Sequence, residues 1–132
     1  AIGFIAERPL IGWGAASFTF LLQENGSKLI FDHTHNLPFE LAISYGILIS
    51  LLVNLTIIFI IITSYKILFL EKKSEKDIQF DQAWWTSSFV LYSSQQFDIQ
   101  YFDIRISLVF WILITGLICI NKEHNSISIK NR

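Results

Sequence analysis

Two histidines separated by one residue, His33 and His35, stand in the polar run DHTHNLPFE at Asp32–Glu40. Spaced by Thr34, they project to the same side of an extended segment. Two imidazoles on one side, with a carboxylate from Asp32 or Glu40, make part of a zinc-type ligand set, which needs three or four such groups. No further His or Cys nearby completes the set, so no metal is expected here. A second use of His35 is as a proton acceptor, since the positive end of a helix dipole disfavours imidazolium beside it. A polar hinge without chemistry is the third reading of the same residues. Arg8 and Arg105 are the arginines outside the C-terminal tail. Such a pair holds a diphosphate in a bidentate grip that lysine does not match. The plainer alternative pairs Arg8 with Glu7, and Arg105 with Asp103, as interfacial anchors.

The element that must position the histidines begins directly after them. Pro38 has a fixed φ and no N–H, which suits the first turn of a helix, and from Leu41 the chain is almost continuously apolar to Leu70. One helix over this stretch is about 50 Å long, against a hydrocarbon core of ~30 Å, so its ends project or tilt. Gly46, Ser50 and Asn54 recur every fourth residue, a small-residue stripe on which another helix can pack while Asn54 is hidden from lipid. Ile57 to Ile62 is apolar on every side and is expected to face lipid.

With 52% hydrophobic residues bunched in runs, the chain reads as a membrane protein, and a net charge of −1 without a basic patch argues against nucleic acid as a partner. Its single cysteine, Cys119, falls in an apolar run and is expected to be a small core residue. The lack of methionine and the start at Ala1 lead us to expect a C-terminal fragment of a longer polytopic protein. Residues 1–37 read as an external segment. Within it, Gly12 and Gly14 flank Trp13, Ala15–Gln23 forms a short amphipathic helix, and Asn25-Gly26-Ser27 makes a turn in preference to a glycosylation sequon. Residues 38–121 read as the transmembrane region. It contains a cytoplasmic loop at 66–82, marked by Lys66, Lys72, Lys73 and Lys76. Ala83–Phe97 is too polar for lipid and is expected to be an inner helix, opened by Trp84 and Trp85 at interface depth. Ile106–Ile120 returns through the membrane. The tail 122–132 is read as cytoplasmic and frayed. The expected architecture is thus all-α with about three membrane helices, the histidines, Asp98 and Asp103 on the outer side.

Several stretches together resemble the O-antigen ligase and polymerase superfamily of bacterial membrane proteins. Arg8–Phe18, RPLIGWGAASF, looks like its external-loop segment; His35-Asn36, followed after nine residues by Gly46, is similar to its histidine signature. FDIQYFDIRISLVFWILITGL, Phe97–Leu117, looks like its last pair of helices, so the resemblance covers nearly the whole chain. The resemblance implies a multi-pass protein of the bacterial inner membrane. Its activity would be to move a glycan from undecaprenyl diphosphate to an acceptor hydroxyl, of lipid A core or another acceptor, on the periplasmic face, without metal or nucleotide. By position, His35 matches the essential histidine and Arg8 the diphosphate-contacting arginine; Asn36, Asp103 and Arg105 are implied in substrate binding. A polymerase, or a transporter-like relative for bicarbonate or polysaccharide, is the alternative within the same superfamily.

The charge pattern makes the topology testable. Single cysteines replacing Ser27 and Ser74 in a Cys119→Ser background are expected to react from opposite sides with an impermeant thiol reagent; labelling of both from outside sinks the arrangement.

Overall fold

The computed structural model describes residues 1–26, 31–70, 78–98 and 103–130, with side chains through 124. These residues are helical, without strands, and fall into two compact units: Ala1–Leu55 with Ser94–Tyr101, and Thr56–Ser93 with Phe102–Arg132.

In the first unit, α1 (Ile2–Glu7) and α2 (Phe18–Glu24) pack on α3 (Leu37–Tyr45). The contact is apolar. Phe18, Leu21 and Ile43 are buried at its centre, and Phe4, Ile5, Trp13 and Leu22 close around them. Phe4 meets Phe18 edge to face at 6.4 Å between centroids, and the Trp13 indole N–H donates to the Phe4 carbonyl at 2.8 Å. The amphipathic helix expected at Ala15–Gln23 is α2, and Asn25-Gly26 form the expected turn, with Asn25 Nδ2 donating to the Leu21 carbonyl. Ser27 lies outside the described residues.

The long helix expected from Pro38 to Leu70 is two helices. α3 ends at Tyr45, and α4 (Ile47–Tyr65) begins after Gly46 and runs on through a π-helical turn to Leu70. The cause is a backbone insertion that hydropathy does not register. Gly46 sits at φ 90° and ψ 164°, a conformation essentially confined to glycine. The loop at 9–14 packs into the break: Trp13 N–H donates to the Ile43 carbonyl at 2.7 Å, Gly14 N–H to that of Ser44 at 3.0 Å, and Ile47 N–H to Pro9 at 2.8 Å. The last carbonyls of α3 and the first N–H of α4, which have no intrahelical partner, are thereby satisfied. Approach this close needs glycine on both sides. A Cβ on Gly12 would stand 2.5 Å from the Ile43 carbonyl oxygen, and one on Gly46 would collide with the Leu10 carbonyl. The Gly46, Ser50, Asn54 stripe is used within this unit: Ser50 and Asn54 are buried, the Ser50 hydroxyl donates to the Pro38 carbonyl at 2.7 Å, and Asn54 donates to Ser50 at 2.8 Å.

In the second unit, the C-terminal part of α4, α5 (Ile78–Ser94) and α6 (Ile104–Lys130) are joined by side chains that reach neighbouring backbones. Trp84 Nε1 donates to the Leu113 carbonyl, Trp85 Nε1 to Ile61, and Gln82 to Leu68, at 2.8–3.0 Å. Tyr65, Phe69, Trp85 and Phe89 form a continuous run of rings. The hydroxyls of Ser64, Thr86, Ser87 and Ser88 each bond a carbonyl four residues back, which satisfies them inside their own helices.

Two helical stretches, Ile47–Leu70 and Ile104–His124, are long and apolar enough to cross a membrane. At 24 and 21 residues they are about 36 and 31 Å long, which matches the ~30 Å hydrocarbon core. Only 28% and 17% of their apolar windows are buried, whereas the core helix of a water-soluble domain is mostly covered. The described residues thus hold two such helices where about three were expected; α5 is shorter, at 17 residues.

Three further expectations are corrected. Ile57 and Ile61 are buried while Phe59 is 70% exposed, so this part of α4 has an inner face and an outer one. Cys119 is exposed on α6 and is no core residue. The tail does not fray at Asn121: α6 continues to Lys130, and His124 is buried against Asp81, Nε2 to Oδ2 at 3.2 Å. Of the loop expected at 66–82, residues 71–77, with Lys72, Lys73 and Lys76, lie outside the described residues, as do residues 99–102.

Gly46→Ala is expected to destabilise the protein by about 2 kcal/mol or more, through strain and through displacement of the loop at Leu10. Thermal unfolding in detergent measures it, with Gly3→Ala, whose Cβ meets nothing within 4 Å, as the control.

Candidate functional site

The site is built outward from the first turn of α3. Asn36 is the N-cap, with an extended backbone and a side-chain Oδ1 that accepts the Phe39 N–H at 3.2 Å, a cap worth about 1 kcal/mol. Its other amide atom, Nδ2, donates to the Gln96 carbonyl at 2.9 Å, and the Leu37 N–H donates to that of Gln95 at 3.0 Å. The start of α3 is thus tied to the turn that follows α5. Glu40, only 3% exposed, reaches back so that its Oε2 accepts the Thr34 N–H at 3.0 Å. Among the described residues its second oxygen has no hydrogen-bond partner. Thr34 Oγ1 donates to the Asn36 carbonyl at 2.9 Å.

Between these two held residues, His35 takes a left-handed backbone with φ 55°, uncommon for a residue with a Cβ and an energetic cost that its surroundings must offset. This turns the imidazole toward the tethered turn, where Nδ1 lies 3.0 Å from Asp98 Oδ1. The His33 ring stands edge to face against it at 4.5 Å between centroids, and Phe31 flanks it at 5.9 Å. The pair is accessible, with 50% of the His35 side chain and 63% of that of Asp98 exposed. With its proton on Nδ1 and donated to Asp98, the imidazole is fixed in one tautomer and orientation. Nε2 then keeps its lone pair for an incoming proton. The ligand atoms of His33, His35 and Asp98 lie within 4.8 Å of one another. Neither Asp32 nor Glu40, the carboxylates that the sequence pairs with the histidines, joins this group.

The remaining site candidates have other partners. Arg8 does not form the Glu7 pair; its guanidinium lies over the Trp13 ring, 4.1 Å from the centroid. Stacking uses the face of the guanidinium and leaves its N–H edge for an anion. Arg105 and Asp103 belong to the second unit and pair with each other, Nη2 to Oδ2 at 3.2 Å and Nε to Oδ1 at 3.3 Å, while Asp103 Oδ1 also accepts the Arg105 N–H at the start of α6. The anchor reading of Arg105 describes this arrangement. Asn36 has both amide atoms engaged in holding the motif. Asp98 is the residue that sequence reasoning missed as a site member. Both aspartates were placed on the histidine side, but Asp103 is spent on capping α6, and the tie that brings Asp98 to His35 runs through backbone carbonyls that leave no sequence signal.

No family model, curated protein or solved structure matches this chain.

The Arg105 side chain, then its backbone N–H, holds the Asp103 carboxyl below the usual carboxylate range. Arg105→Ala is expected to return it upward toward that range, as read by NMR titration of the carboxyl carbon. The sign follows from a depressed folded pKa: the interaction favours the fold above the ordinary aspartate range and is lost as pH falls through the lowered value. An unchanged titration would show that the helix N-terminus alone sets it.

Proposed function

We propose that the chain is part of a membrane glycosyltransferase of the O-antigen ligase type, acting at the periplasmic face of a bacterial inner membrane. The observation that carries the reading is the accessible His35–Asp98 pair at 3.0 Å, at the mouth of a helical segment that leads into an apolar span. The resemblance of Arg8–Phe18 and of His35-Asn36 with Gly46 to that superfamily supplies the substrate class: a glycan on undecaprenyl diphosphate as donor and a hydroxyl of lipid A core or another glycan as acceptor.

In this reaction the acceptor oxygen attacks the anomeric carbon as the bond from that carbon to the diphosphate oxygen breaks. His35 takes the hydroxyl proton on the nitrogen that does not face Asp98, and undecaprenyl diphosphate leaves with the bonding pair. Asp98 stabilises the imidazolium that forms. Arg8 offers its N–H edge to the diphosphate, where charge grows as the bond breaks. Asn36 acts as a positioning residue, since its cap and its bond to Gln96 hold His35 between them. No metal or nucleotide takes part.

The test is transfer measured in membranes of the full-length protein, with a lipid-linked donor and an acceptor. His35→Ala is expected to lower the rate by about 100-fold or more at normal expression, the scale of a lost general base. His33→Ala is expected to cost much less, and chelators to cause no loss. Arg8→Lys is expected to lose most of the activity, because charge without the fork does not hold the diphosphate. Near-normal transfer by His35→Ala would leave the histidine as a hinge, and full activity of Arg8→Lys would leave Arg8 as an anchor on Trp13.

A further inference from the structure

We propose that His33, His35 and Asp98 form a three-ligand site for a divalent transition-metal ion of the zinc class. The sequence offers Asp32 or Glu40 as the carboxylate beside the two imidazoles; the turn after α5 brings Asp98 instead. The three ligand atoms lie within 4.8 Å of one another, and His35 Nδ1 stands 3.0 Å from Asp98 Oδ1. Zinc bonds of about 2.0–2.1 Å in a tetrahedron give edges of roughly 3.3 Å, so side-chain rotation closes the set around one ion. Two imidazoles and a single carboxylate favour zinc, copper, nickel or cobalt over magnesium and calcium, which seek oxygen donors. Three protein ligands leave a fourth position for water. The ligands are presented from a held backbone: His35 between Thr34, fixed by Glu40, and the N-cap Asn36, and Asp98 through its N–H to the Ser94 carbonyl at 3.0 Å.

One consequence concerns the transfer reaction, and it alone rests on the function proposed above. A neutral imidazole has a single lone pair, so an ion bound at either nitrogen of His35 removes the group that accepts the hydroxyl proton. The ion therefore inhibits.

The test uses the full-length protein in detergent with Cys119→Ser, stripped by chelation and then titrated with zinc against a chromophoric chelator, and with cobalt followed in the visible region. One zinc per chain is expected. His33→Ala and Asp98→Asn are expected to weaken binding at least 10- to 100-fold, the scale on which even supporting residues act, while Asp103→Asn leaves it unchanged. His33→Cys is expected to bind cobalt with a new sulfur-to-metal charge-transfer band, which direct ligation produces and altered folding does not. Absence of stoichiometric zinc, wild-type affinity in His33→Ala, or bound cobalt without that band in His33→Cys each overturns the site. Zinc that binds as described and leaves transfer untouched would keep the site and overturn His35 as the base; transfer lost in His35→Ala with no zinc bound by the wild type would do the reverse.

Discussion

The backbone groups left over at the two ends of α3 constrain everything around them. A helix has four N–H groups and four carbonyls without internal partners, and in a chain this apolar those groups need partners from the protein itself. At the start of α3 the partners are the Gln95 carbonyl and the Asn36 side chain, itself bonded to the Gln96 carbonyl; at its end they come from the 9–14 loop. A nine-residue helix thus joins three distant parts of the chain. The join at its end is made by main chain on both sides, so it depends on close approach, and that is why glycine stands at 12 and at 46.

The histidine site is a by-product of the first of these joins. Once Leu37 and Asn36 are bonded to residues 95 and 96, His35, directly before Asn36, and Asp98, two residues after Gln96, are brought within one hydrogen bond. His35 meets Asp98 through a left-handed backbone, which the cap on one side and the Glu40–Thr34 bond on the other over-determine. Strain held in this way by neighbouring bonds is an arrangement found where a side chain has to be aimed. Glu40, the buried carboxylate among the described residues, serves the backbone of the histidine segment.

The second unit solves the same problem of polar groups in apolar surroundings by other means. There the serine and threonine hydroxyls turn back onto their own helices, and the indoles of Trp84 and Trp85 donate across to neighbouring ones. The exposed face of α4, with Phe59 and Ile62, and that of α6, with Leu108 and Ile112, carry mainly apolar side chains outward, with Thr56 and Thr115 among them. A helix covered so little by its own chain presents a surface suited to lipid.

The amino-acid sequence by itself determined the helical class, the start of α3 and the two long apolar stretches, because composition, a proline in the first turn and runs of Leu, Ile and Phe act locally and need no partner. It also marked His33 and His35 as the residues able to do chemistry, by type and spacing. Only the tertiary structure decided that the apolar run from Leu41 breaks at Gly46, since a glycine that packs and a glycine that ends a helix look alike until the loop at Leu10 is seen against it. It alone chose Asp98 over Asp32 and Glu40 as the histidines' acid and paired His124 with Asp81. The reason is physical: the loop at Leu10 and the turn that carries Asp98 are held by main-chain N–H and carbonyl groups, which nearly every residue type supplies alike, so no residue type in the sequence records them.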